Sequence, residues 1–555
     1  MIFNKIFFKN IIKDYYYKFY SKKLLKHYPD WSDILKDINF DNLKNKHSKK
    51  ILIATSTGGS RHAISAETLF GLSLKARGMD VDFLLCDQAL PACSENTYMD
   101  YNDKKEFIRY GSSTKCSACW NAGKNTLQQA GFNTLKFSDY ISNEELKIIR
   151  DIEKKIKHNE IRHFKINDIS IGEHAYAGAL RYNARGELEA SDDDQTILKR
   201  YFFSALKTYF ISKNLFEKKR YEILLLNHGI YVPQGIISEV AKMKGLNIST
   251  WFTAYKNKSF LFSHKETYHK SLLKEPNEEW ESLNLDREDQ EELDNYISSR
   301  KHGTNDWVYF HNKKPEFNFN LKNYIVSKEN TFVSLFSNVV WDAQLFFDQN
   351  IFDNMVQWII ETINYFQKIN KILVIRAHPA EISGTLPSKQ KIYEEIKKHY
   401  GKLPDNIVFI GPENPLSSYS IIEKSEFCIV YGSTIGTEIA AMGKNVLVGG
   451  EAWIKNKNIS YDPITKKEYF KFISELLIDP KMNDESYNRA RKYAYHFFFR
   501  RMIPVELIDV NKEKSDDFII TQKSIEKIFP GKNSDKGIET ICKSIINNKS
   551  FIYGK

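Results

Sequence analysis

Short apolar runs that end in glycine turns alternate with longer amphipathic stretches along most of the chain, the pattern of buried strands and covering helices. The first run is Lys50-Ile51-Leu52-Ile53-Ala54-Thr55. Its turn is Ser56-Thr57-Gly58-Gly59-Ser60, and a helical pattern from Ala63 to Arg77 stops at Gly78. Val81 to Cys86 predicts the next strand, which completes a parallel βαβ unit. Residues 140–220 read as mostly helical. A further strand is predicted from Tyr221 to Leu226, ending in the turn Asn227-His228-Gly229, then a helix from Gln234 to Lys244 and a strand from Leu246 to Trp251.

From about residue 256 to 328 the pattern turns polar and irregular, which predicts a helical insertion or connection. A second Rossmann-like pattern begins at Asn330-Thr331-Phe332-Val333. Its strands are predicted at Lys371 to Arg376, Asn406 to Ile410, Phe427 to Tyr431 and Asn445 to Val448, with helices at Asp353–Lys368, Lys389–Tyr400 and Thr434–Met442. Tyr487–Phe499 and Ile538–Ile546 read as terminal helices. The expected fold class is α/β, two Rossmann-like domains facing a cleft, with helical N- and C-terminal extensions. The expected division is 1–46 (a basic, aromatic helical segment), 47–328 (an acceptor domain), 329–485 (a donor domain) and 486–555 (helices packing back). In open parallel sheets ligands bind beyond the carboxyl ends of the strands, and most of the turns considered below lie at such an end.

Bulk properties change this picture little. A chain of 555 residues exceeds the size at which one core stops growing. The composition, 42% hydrophobic and 27% charged, is that of a globular protein rather than a disordered one. Lys and Arg number 81 against 70 Asp and Glu, a net +11 that suits an anionic ligand or membrane surface but also reflects a general lysine bias. No run approaches the ~18–20 apolar residues of a membrane span, and the N-terminus has no signal-peptide pattern. The expected location is the cytoplasm. The aromatic, lysine-rich segment 1–46, with Tyr15, Tyr16 and Lys18, could pack on the first domain or lie on the inner face of the membrane. Basic residues are dispersed and no nucleic-acid motif is present.

Two strand-end motifs carry most of the chemistry. Arg376-Ala377-His378-Pro379 sets a cation and an imidazole directly after a buried strand, where proline fixes the exit. Such a pair can hold a phosphate oxygen, although a His in this position can equally cap a turn. Tyr431-Gly432-Ser433-Thr434 leads from a strand into a helix, offering backbone amides and two hydroxyls to an anion. Glu438, one turn into that helix, could bind a ribose diol or serve the helix terminus.

A His-Pro turn followed by a Ser-Thr turn resembles the donor half of bacterial sialyltransferases and capsular Kdo transferases, and more broadly surface-polysaccharide glycosyltransferases of the GT-B fold. The resemblance covers about residues 330–455. It implies that His378, Ser433 and Thr434 contact the phosphate of a CMP-activated ulosonic or nonulosonic acid, with Glu438 on the ribose. It also implies that the nucleotide-sugar donor needs no metal for transfer and that the acceptor is a glycan or glycolipid. CDP-glycerol-type polymerases share these features, so a glycerol- or ribitol-phosphate transferase stays open, as does a non-catalytic sugar-nucleotide-binding component.

The acceptor half departs from that pattern. The sialyltransferase-like families place an acidic residue before a glycine as the base; this chain has Asn227-His228-Gly229. His228, whose ordinary pKa lies near neutrality, is one candidate base; Glu173 and His174 are the others. Gly58, Gly59, Ser60 and His62 form a glycine turn opening a helix, without the full dinucleotide or P-loop spacing, and are placed with Asp342 on the acceptor side. Cys86, Cys93, Cys116 and Cys119 fall in one window with a C-x2-C pair, compatible either with a structural zinc site or with buried unligated thiols.

Overall fold

The computed structural model describes residues 28–38, 40, 49–100, 103–307, 314–325, 331–342, 349–510 and 518–554. The basic aromatic stretch expected over 1–46 lies mostly outside them, so its two readings stand as they were. The chain forms two compact units. One comprises the residues up to Tyr182, then Glu189–Tyr268 and everything from Arg501 on. The other comprises Asn183–Leu188 and His269–Arg500.

The first unit is built on a seven-stranded sheet. Its strands are β1 (Lys50–Ser56), β2 (Asp80–Leu85), β3 (Thr134–Lys136), β4 (Ile223–Asn227), β5 (Asn247–Thr253) and β6 (Ser259–His264). The order across the sheet is β6-β5-β4-β1-β2-β3, and a two-residue strand, Ile503–Pro504, pairs with the far side of β6. Strands β1 to β5 are parallel, and β6 runs antiparallel to β5. Ile51, Leu52, Ile53 and Ala54 are all fully buried, which is why this strand reads as a continuous apolar run without alternation.

The second unit holds β7 (Val333–Phe336), β8 (Leu373–Arg376), β9 (Ile407–Ile410), β10 (Cys428–Val430) and β11 (Val446–Val448). They form an all-parallel sheet in the order β11-β10-β7-β8-β9. Residues along each strand alternate between two cores. Phe336, Val374, Val430 and Val448 pack on one face, and Leu335, Ile375, Ile429 and Leu447 pack on the other. Helices such as Met355–Ile369 cover the faces, that one ending at Asn370 in the left-handed conformation.

Both units are α/β with predominantly parallel sheets, as expected. Their boundaries differ from the expected division. Residues 269–328, assigned above to the first domain, belong to the second unit, and the terminal stretch splits at Arg500, its last part returning to the first. Leu293, Tyr296, Trp307 and Phe319 show why: the polar-looking segment carries widely spaced apolar residues, all buried. Strand β6 was also read as irregular, although its Phe260, Leu261 and Phe262 are fully buried.

A helix not predicted at all, Ser113–Gln129, packs on the glycine turn after β1. A Cβ on Gly58 would lie 2.4 Å from the Cys119 carbonyl oxygen and 2.7 Å from Gly123 Cα. Both glycines are therefore needed so that two backbones can touch. Small residues made this helix hard to recognise from apolar period, and the same small residues let it approach.

Candidate functional site

In the second unit, the central strand β7 continues into Ser337 and Asn338, which tie together the turns of its two neighbours. The Ser337 hydroxyl accepts a hydrogen bond from the His378 N–H, 3.1 Å. The Asn338 side-chain amide donates to the Gly432 carbonyl, 3.1 Å. The His-Pro turn after β8 and the Gly-Ser-Thr turn after β10 are thus anchored to one dipeptide. The chain order also reverses here, with β8 and β9 on one side of β7 and β10 and β11 on the other. Such a switch point leaves a crevice at the strand ends.

Local bonds fix the state of the imidazole. His378 Nδ1 accepts from the Ala380 N–H, 3.0 Å. In the neutral ring the proton must then sit on Nε2, leaving that nitrogen a donor. Pro379 caps the short helix Ala380–Ser383 that supplies this N–H. His378, Gly432, Ser433 and Thr434 are all partly exposed. The Ser433 hydroxyl receives only a long bond from the Ile435 N–H, 3.4 Å. An imidazole donor and two hydroxyls therefore stand on turns flanking one strand end, a set suited to an anionic oxygen.

Two residues expected to bind the donor do other work. Arg376 is 1% exposed, and its guanidinium donates to the carbonyls of Gly411, Asn414 and Leu416, holding the loop after β9. Burial pulls it down to about 10. It lends no fork to a phosphate, because a buried strand-end arginine satisfies itself on the nearest carbonyls. Glu438, also 1% exposed, lies 3.0 Å from Arg300 Nε and accepts from the Tyr419 hydroxyl. Arg300 bonds Asp306 in turn, 2.5 Å. The ribose contact expected of Glu438 is replaced by this internal pair, whose arginine comes from the segment expected to be an insertion or connection. Asp342 is exposed.

Sequence reading also missed a carboxylate. Glu451 follows β11 in Gly449-Gly450-Glu451 and is 2% exposed. It accepts from the Gln349 N–H, 2.5 Å, and its other oxygen lies 3.5 Å from His269 Nε2. Its backbone abuts Gly432, where a Cβ would come within 3.0 Å of the Glu451 carbonyl. A glycine pair directly after a buried strand was the signal.

In the first unit, the turn after β4 is held from below. The Thr55 hydroxyl donates to Glu67, which also accepts from the Trp251 indole, 2.9 Å. With its proton committed, Thr55 Oγ1 accepts from the Asn227 N–H, 2.7 Å. His228 follows in the left-handed region (φ 58°), its ring 4.5 Å from Phe252 and 5.8 Å from Tyr268. Burial, assisted by Arg181, lowers His228 to about 3. The near-neutral pKa that recommended it as a base is lost, because a desolvated imidazole resists protonation.

His174 is likewise structural, 2% exposed, with Nδ1 on the Ile230 carbonyl (2.5 Å) and Nε2 facing Glu239 (3.1 Å). Glu173 is half-buried in the first turn of the helix Ile171–Asn183. Around the first glycine turn, the Tyr28 hydroxyl donates to the Gly58 carbonyl (2.9 Å) and the Gly59 N–H to Cys119 Sγ (3.0 Å). Ser60 precedes the helix Arg61–Lys75, and His62 Nε2 meets Thr253 Oγ1 at 2.5 Å. The zinc expectation finds no support: among the described residues no group of three or more His, Cys, Asp or Glu is placed to hold a metal ion. Among the described residues, too, no helix is long and apolar enough to cross a membrane.

Glu67 gives a pH prediction. Burial pushes it up to about 8 in spite of its hydrogen bonds. Between its ordinary range and that value the folded chain keeps a proton that the unfolded chain releases. Stability should therefore fall as pH rises from about 5 to about 8, by up to about 1.4 kcal/mol per pH unit from this group. Urea midpoints measured across that range should flatten in Glu67→Gln. An unchanged slope would assign the dependence to other groups.

No protein-family model matches the chain, and no curated protein matches it. Among solved structures it is similar to KpsC of Thermosulfurimonas dismutans, a beta Kdo 2,4 transferase, at 11% identity over 56% of this chain and 88% of that one, with a TM-score of 0.34. It is similar to S. aureus MnaA solved with UDP at 11% identity, over 90% and 97% of the two chains, with a TM-score of 0.28. It is also similar to Acinetobacter baumannii MurG at 10% identity, over 90% and 99%, with a TM-score of 0.22.

Proposed function

We propose that the chain is a glycosyltransferase that binds its nucleotide-sugar donor at the carboxyl ends of the second sheet. The observation that carries this reading is the Ser337-Asn338 bridge, which holds the His378 and Gly432-Ser433-Thr434 turns on either side of one strand end. The donor phosphate sits on His378 Nε2–H and the Ser433 and Thr434 hydroxyls. As the bond between the sugar's anomeric carbon and the phosphate oxygen breaks, negative charge grows on that phosphate. Donors already aimed at it stabilise the transition state without reorganising. The sugar passes to a hydroxyl of a glycan or glycolipid acceptor, which we assign to the first unit at the turns after β1 and β4. Because burial makes His228 a weak base, we assign the acceptor's base to Glu173.

The sequence resemblance favours a CMP-linked ulosonic or nonulosonic acid as donor. A thermal-shift series with CMP, CDP, UDP and GDP tests this. CMP is expected to raise the melting temperature of the wild type, and Ser433→Ala/Thr434→Ala is expected to abolish that shift while melting normally when unliganded. Indifference to all four nucleotides would sink the reading; a preference for UDP would retain the site and change the donor.

A further inference from the structure

Four cysteines from separate parts of the first unit surround one small cavity beyond the carboxyl ends of β1 and β2, and the transfer chemistry leaves them unused. Cys86 directly follows β2, Cys93 lies in the loop beyond it, and Cys116 and Cys119 stand one turn apart on the helix Ser113–Gln129. The cavity they line measures about 20 Å³, room for one atom-sized guest. Thr57 lines it as well; it is 4% exposed, and among the described residues its hydroxyl has no hydrogen-bond partner. A buried hydroxyl left unpaired is destabilising, and a polar atom entering the cavity would relieve it. No three of the thiols are placed to share a metal ion. Chemistry that needs only two sulfurs remains open to them.

The sulfurs are not equivalent. Cys119 Sγ is held by the Gly59 N–H at 3.0 Å, and Cys86 by the N–H groups of Ala89 and Leu90. Burial pushes the Cys116 thiol up, and the Ser112 hydroxyl beside it and the start of its helix work against that rise. Cys116 is also the least enclosed of the four. Cys93 belongs to a loop rather than a helix or strand and lines the same cavity as Cys116.

We propose that Cys116 and Cys93 form a peroxide-responsive dithiol, closing to a disulfide that ties the loop after β2 to the helix Ser113–Gln129. The Cys116 thiolate attacks the O–O bond of a hydroperoxide. An S–O bond forms, and the departing oxygen leaves as water or an alcohol carrying the thiol's proton. The sulfenic acid then meets the Cys93 sulfur: an S–S bond forms, and its hydroxyl leaves as water with the Cys93 proton. Two thiols lose two electrons in all, and the peroxide gains them. Thr57 supplies the hydrogen bond that the sulfenic oxygen needs inside the cavity. Ser94, next to Cys93, accepts from Arg181 and from Gln234, so the crosslink acts on the loop that positions both.

The test treats the full chain with hydrogen peroxide, blocks remaining thiols with N-ethylmaleimide, and maps unreduced peptides by mass spectrometry. The expected product is a linked Cys93–Cys116 peptide that dithiothreitol removes. It should form in Cys428→Ser and Cys119→Ser and be absent from Cys116→Ser, with Cys93→Ser as the second variant should that one fail to fold. Because burial keeps these thiols protonated, the rate should rise about tenfold per pH unit between about pH 7 and pH 9, and Thr57→Val should slow it several-fold. Four thiols still alkylated in full after peroxide, oxidation of Cys116 only to the sulfinic acid, or a link confined to Cys116 and Cys119 would each overturn the proposal.

Discussion

His378→Ala should lower turnover by about 10²–10³-fold, the usual effect of removing one donor aimed at developing negative charge, while leaving the urea midpoint nearly unchanged. The expectation follows from the two ring nitrogens having separate tasks. Nδ1 is committed to the Ala380 N–H, so only Nε2 can serve a ligand. Two further variants separate the tasks. His378→Asn can still accept from Ala380 but cannot reach the Nε2 position, and should be as slow as the alanine variant. His378→Gln places an amide N–H near the Nε2 position and should recover part of the rate. Single-turnover assays with the nucleotide sugar identified by thermal shift would read this series. Equal rates in all three variants and the wild type would remove His378 from the reaction; a collapse in stability shared by all three would make it a turn residue.

Glu438→Ala should destabilise the second unit by about 1.5–3 kcal/mol, because it takes from the buried Arg300 one of its two carboxylates and leaves Asp306 alone against the charge. The measurement is urea denaturation, with Arg300→Met/Asp306→Asn/Glu438→Leu as the control. Replacing the arginine and both of its carboxylates together is expected to cost less than leaving one buried charge behind. Were Glu438 instead a ribose ligand, its alanine variant would keep its midpoint and lose nucleotide affinity. The two outcomes are opposite, and the internal pair with Arg300 and Tyr419 favours the first.

These two residues show what a strand-end motif conveys. Arg376, His378 and Glu438 looked alike in sequence, each polar and each within a few residues of a buried strand. They differ in what reaches them. The carbonyls of Gly411, Asn414 and Leu416 close on Arg376, and Arg300, more than a hundred residues before Glu438, closes on that carboxylate. His378 is oriented by its own second neighbour, Ala380, a local contact that the His-Pro spacing already contains. The Glu451–His269 pair was equally out of reach, since its partners lie far apart in the chain. His228 fails for a related reason: its ordinary pKa belongs to an exposed ring, and packing against Phe252 and Tyr268 strips away much of its water.

By itself the sequence determined the α/β alternation, most strands of both sheets and the glycine and proline turns at their ends. Those features depend on local apolar period and on glycine and proline, which act over a few residues. Tertiary structure decided the rest. It set the unit boundary at His269, the place of β6, the close approach of Gly58 to Gly123 and the division of polar residues between partly exposed turns and internal pairs. Each of these rests on contacts between distant segments, where burial and partner geometry, rather than residue type, fix what a side chain can do.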